Sequence, residues 1–106
     1  MAPEAIARNR AKHTAQLAKI RRQIDSLDER LLRLVNQRAS LALNIGRIKD
    51  KQKWPVFDPK REAFVLRHVM AASRGPLSSS AVRHIFQAIL CECRRRQRAR
   101  RHQSGL

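Results

Sequence analysis

Apolar residues recur along the first half of the chain at alternating spacings of three and four: Ile20, Ile24, Leu27, Leu31, Leu34, Leu41, Ile45 and Ile48. Arg38 occupies the one place in this series where an apolar residue is missing. Such spacing marks a single helical stripe. No proline interrupts it and Gly46 is its only glycine, so one helix is predicted from Ile20 to about Lys51. Its start is left open between Ile20, Thr14 and Pro3. Pro55 ends it near Lys51–Trp54, because the residue before a proline is pushed out of helical geometry.

Asp58-Pro59 then reads as an N-cap followed by proline at the first helical position. The second helix runs to about Ser73, where Arg74-Gly75-Pro76 stops it. Its expected core residues are Val65 and Val69, with Phe64 and Met70 beside them. Ser78 or a neighbouring serine caps a third helix, whose stripe is Val82, Ile85, Phe86, Ile89, Cys93 and Gln97.

The expected fold is all-α, one long helix and two shorter ones. At 1.5 Å per residue the stripe from Ile20 to Lys51 is about 45 Å long, more than two short helices can cover. A second copy of the chain can, so the expected state is an intertwined helical homodimer with the long helices packed together. A helical hairpin bundle and a coiled coil share this pattern.

Charge changes the picture at the ends. The chain carries 24 Lys plus Arg against 8 Asp plus Glu, a formal charge of +16. Residues 1–19 hold four cations and one acid, net +3; residues 94–106 hold six arginines and no acid, net +6. The expected division is therefore a basic N-terminal extension (1–19), a folded domain (20–97) and a basic C-terminal tail (98–106). Such runs are usually solvated, although they invite a polyanion. Phe and Trp are few and Tyr is absent, which removes the stacking platforms of single-strand binders, and nucleic acid is not the favoured partner.

No apolar run is long enough to span a membrane, and MAPEAIARNRAKH lacks a signal-peptide core. Cys91 and Cys93, two residues apart on a helix, make a poor disulfide pair. The expected location is a reducing cytoplasm. His13, His68, His84 and His102 show no ligand spacing with them, so neither metal nor cofactor is expected.

The polar residues inside the stripes are the candidate chemistry. Arg38 and Lys49 are 11 residues apart, three turns plus about 20°, and share one face about 16 Å apart along the axis. A cation on a core-facing stripe is costly without an anion. Arg21 precedes Arg38 by 17 residues and is turned about 100° away. The two cannot easily reach one small ligand, although Arg21 could reach a site on a partner. Asp58, Arg61 and Glu62 cluster at a helix N-terminus, a natural place for anions. Each also has a plainer reading, as cap, solvated charge or internal ion pair.

The run IRRQIDSLDERLLRLVNQRASLALNIGRIKDKQKWPVFDPKRE, followed by IFQAILCECRRRQ, resembles an AroQ-type chorismate mutase domain. The likeness covers about residues 20–97, and its most diagnostic pieces are IDSLDERLLRLVNQR, Gly46-x-x-Lys49, PVFDPKRE and IFQAI. It implies a Claisen rearrangement of chorismate to prephenate within aromatic amino-acid biosynthesis. The substrate is a dianion whose ether oxygen gains negative charge as its C–O bond breaks and a C–C bond forms. No metal, nucleophile or proton transfer is needed, only positioning and charge stabilisation.

By that resemblance, Arg38 clamps one carboxylate and Arg21 binds a carboxylate in the partner's site. Lys49 contacts a carboxylate and the ether oxygen, and Gln97 donates to the same oxygen. Arg61 orders the pocket near a carboxylate, while Asp58 and Glu62 hold the ring hydroxyl. Cys93 stands where many members have serine, and a thiol is a weaker donor. The resemblance implies a dimeric, stand-alone mutase. Rival readings are an isochorismate–pyruvate lyase on the same scaffold and a basic helical nucleic-acid-binding protein. The basic ends leave room for docking to another shikimate-pathway enzyme.

Overall fold

A computed structural model describes residues 2–104 of the chain. They form three helices: α1 (Pro3–Lys51), α2 (Pro59–Ala72) and α3 (Ser79–Ser104). Helix α1 is one uninterrupted helix that begins at Pro3, the earliest of the three starts open to the sequence. Among the described residues, no helix is long and apolar enough to cross a membrane.

The chain divides into two compact units, residues 1–36 and 37–106. The first is the N-terminal part of α1. Within the second, α2 and α3 pack directly on one another. The C-terminal part of α1 reaches α3 through side chains, Arg38 touching Cys93 and Gln97 touching Ala42. The core of this unit is Val56, Val65, Val82, Leu90 and Cys93, with Gln97 as its buried polar member.

Two expectations about that core are corrected. Phe64 is 48% and Ile85 47% exposed. Helical period alone does not say how wide a face its neighbours cover, and α2 and α3 cover a narrow one. Phe64 instead stacks on His68, with ring centroids 5.8 Å apart, and lies under the Arg61 guanidinium. Leu90 and Val56, outside the expected core, are buried.

The ends of the helices have local causes. At the end of α1, Trp54 N–H donates to Lys49 O (2.8 Å) and Lys53 N–H to Asp50 O (3.1 Å). These are the two bonds of a Schellman motif, with Lys53 as its left-handed residue at φ 58°. A lysine there bears a strain of about 1 kcal/mol that glycine would avoid. Asp58 caps α2 by accepting from Arg61 N–H (3.1 Å), with Pro59 in the first turn. Ser78 caps α3 through its hydroxyl, which accepts from Ala81 N–H (3.1 Å).

Candidate active site

One cavity of about 270 Å³ opens within the second unit. Helix α1 contributes Arg38, Leu41, Ala42, Ile45 and Lys49, and the following loop Val56 and Asp58. Arg61, Glu62 and Val65 come from α2, and Leu90, Cys93, Arg94 and Gln97 from α3. Seven of the eight residues singled out in the sequence therefore line one space: Arg38, Lys49, Asp58, Arg61, Glu62, Cys93 and Gln97. Arg21, an exposed residue of α1, is not one of them.

Each polar group is held by something identifiable. Lys49 is half-buried, and its Nζ donates to Val56 O at 3.0 Å. Its own carbonyl is tied by Trp54 in the Schellman turn, so the turn that ends α1 also places this ammonium. An ammonium has three donors, and this bond uses one. Gln97 is 9% exposed, and its Nε2 donates to Ala42 O at 2.6 Å. An amide nitrogen carries two hydrogens, so one remains for a ligand.

Gln97 reaches Ala42 because Gly46 has no side chain. A Cβ built on Gly46 would stand 3.0 Å from Gln97 Cγ. In the sequence Gly46 was one element of a motif; its steric role is visible only when α3 is in place.

Arg38 donates from Nη1 to Cys93 Sγ at 3.5 Å. It has no ion pair with an acid among the described residues, so the internal-pair reading does not hold for it. The thiol here accepts a hydrogen bond and so helps to orient a guanidinium. Arg61 contributes its backbone N–H to Asp58 and places its guanidinium over Phe64, 5.2 Å from the ring centroid. Asp58 both caps α2 and lines the cavity.

In the sequence Arg94 is the first member of an arginine run of the kind that is usually solvated. In the structure its Nε lies 2.8 Å from Glu62 Oε2, its guanidinium sits 5.1 Å from the Phe57 ring centroid, and it lines the cavity. Nothing in the run RRR distinguishes it from its neighbours. Only its position immediately after Cys93 on the inward stripe could have. Another member of the basic end, Arg101, lies 3.4 Å from Asp50, and residues 98–104 continue α3.

Four cations and two carboxylates line the cavity, a net +2, among apolar walls from Leu41, Ile45, Val65 and Leu90. A partly desolvated site of this kind suits a small dianion, because charge interactions strengthen as water is excluded. Among the described residues, no group of three His, Cys, Asp or Glu is placed to hold a metal.

A family model described as chorismate mutase type II matches residues 20–98. Over 83 residues, 74% of this chain, the sequence is 42% identical to a bifunctional chorismate mutase/prephenate dehydratase of Pseudomonas aeruginosa. The chain spans 23% of the length of that protein. It is 40% identical over 50 residues to a chorismate mutase of Methanocaldococcus jannaschii, a match covering 47% of this chain and 50% of that one. Among solved structures, chorismate mutase (form II) from Thermus thermophilus superposes with a TM-score of 0.77 at 28% identity, over 78% of this chain and 94% of the other. The chain belongs to the chorismate mutase type II family.

Proposed function

We propose that the chain rearranges chorismate to prephenate. The observation that carries this reading is the cavity itself, where Lys49 and Gln97 converge with Arg38 inside apolar walls. Chorismate brings two carboxylates and a flexible enolpyruvyl arm. Arg38, oriented by the Cys93 thiol, clamps one carboxylate and helps fold the arm over the ring. The remaining donors of Lys49 and the second hydrogen of Gln97 meet the ether oxygen as it gains charge, while Lys49 also contacts a carboxylate. Arg61 orders the pocket near a carboxylate, and Asp58 and Glu62 accept from the ring hydroxyl. No proton leaves the substrate and no covalent intermediate forms.

The same reading includes a second copy of the chain. No residue of α1 is buried within one chain. Leu27, Leu31, Leu34 and Leu41 are 56–63% exposed along one helix. Contiguous apolar surface of this kind marks an interface. A homodimer built on α1 covers the stripe and supplies Arg21 of one subunit to the other's cavity, where it binds a carboxylate.

The experiment is incubation of the purified chain with chorismate and, separately, with isochorismate, with products resolved by chromatography. Prephenate supports the reading; salicylate and pyruvate from isochorismate would assign the pocket to the lyase chemistry instead.

Gly46→Ala separates positioning from stability. Alanine in place of a helical glycine favours the helix by up to about 1 kcal/mol, but its Cβ pushes Gln97 by a few tenths of an ångström. The expected result is a chain no less helical, with kcat for chorismate lower by roughly tenfold. Circular dichroism and steady-state kinetics check it, and an unchanged kcat would remove Gly46 from the account.

A further inference from the structure

Arg94 is a cavity cation with no role in the reading above. It joins three parts of the site. Its Nε meets Glu62 of α2, its guanidinium covers Phe57 of the loop after α1, and its backbone follows Cys93 on α3. The side chains of Arg94 and Glu62 are 27% and 19% exposed, so the pair is largely out of water and its charges are weakly screened.

We propose that Arg94 is the positioning residue that makes Glu62 tolerable in a pocket for a dianion. The proposal rests on the chorismate reading and deepens it. A carboxylate beside a dicarboxylate substrate repels it unless a cation stands against the carboxylate. Arg94 is that cation. Its Nε stands 2.8 Å from Oε2 of Glu62, close enough to offset the charge, and leaves the other oxygen, Oε1, to accept from the ring hydroxyl. Phe57 keeps the guanidinium flat at the rim, an arrangement that arginine sustains and lysine does not.

With both residues the lining charge is +2. Arg94→Gln leaves +1, with an uncompensated carboxylate facing the substrate. Glu62→Gln together with Arg94→Gln returns the lining to +2, and the glutamine retains an oxygen for the hydroxyl. A purely structural role for the ion pair predicts no such recovery, because the double variant has lost the pair as well.

The test is steady-state kinetics with chorismate on the full chain, for Arg94→Gln, Arg94→Lys and the double variant, with melting temperatures alongside. Arg94→Gln is expected to raise KM about tenfold, the order expected for one unit charge in a partly solvated pocket, while kcat changes much less. Arg94→Lys keeps the charge and recovers most of KM. The double variant lowers KM clearly below that of Arg94→Gln, since restored net charge removes the repulsion, although the weaker acceptor at position 62 keeps it above wild type. A KM for Arg94→Gln equal to wild type would overturn the proposal, as would a double variant no better than the single one. If Arg94→Gln does not fold, Arg94→Lys with a KM raised as far as tenfold would overturn it equally. Wild-type chain that leaves chorismate unconsumed would instead overturn the chorismate reading first, and this proposal with it.

Discussion

Lys49→Ala is expected to lower kcat for chorismate by about 10²–10³-fold, the usual loss when one preorganised donor to a developing oxyanion is removed. The effect is large if, as proposed, the ammonium acts where charge appears in the transition state, in a cavity that Ile45 and Val56 also line. KM should rise as well, since in the proposed reading the same group contacts a carboxylate in the ground state. Folding should lose only about 1 kcal/mol, from the Nζ bond to Val56 O. The Schellman turn uses the backbone carbonyl of Lys49, not its side chain, and alanine is the better helix former. The check is a kinetic comparison beside a thermal melt. A variant that keeps wild-type kcat would place the reacting oxygen elsewhere.

The second large effect concerns Arg21 and Arg38. Each changed to alanine should lose about 10²-fold in activity, because a guanidinium fork on a carboxylate positions as well as binds. Mixed in equal amounts and allowed to exchange subunits, the two inactive chains should regain activity. In a mixed dimer, the Arg21→Ala subunit keeps its own Arg38 and receives Arg21 from its partner. One of the two sites is then intact. Random pairing makes about half the dimers mixed, so the mixture should reach about a quarter of wild-type activity. A mixture no more active than its components would remove the shared site, whatever its size by gel filtration.

Much of this was legible because helices announce themselves locally. Pro55, Asp58-Pro59 and Ser78 mark ends that the structure places within a residue or two. The interruption of the stripe by Arg38 and the inward place of Gln97 were visible as polar residues at apolar positions, and both line the cavity. What stayed hidden depends on a second element. Gly46 matters because Gln97 crosses above it. Lys53 ends α1 in a conformation that usually signals itself with glycine. Arg94 looks like its neighbours until Glu62 and Phe57 stand beside it. Phe64 and Ile85 were misplaced because periodicity reports direction around a helix, not how much of that direction is covered.

The angular separation of Arg21 from Arg38 is the sequence feature that most shapes the functional account. It turns two cations of one helix to different sides, and in the proposed homodimer Arg21 serves the other subunit's site. The exposed leucines of α1 are the surface on which the proposed homodimer would form.

The most direct measurement follows the purified chain with chorismate and, separately, with isochorismate, resolving all products. Chorismate is expected to disappear with one equivalent of prephenate formed, and isochorismate to be left intact. Chorismate that persists, or isochorismate split to salicylate and pyruvate, would contradict the proposed function.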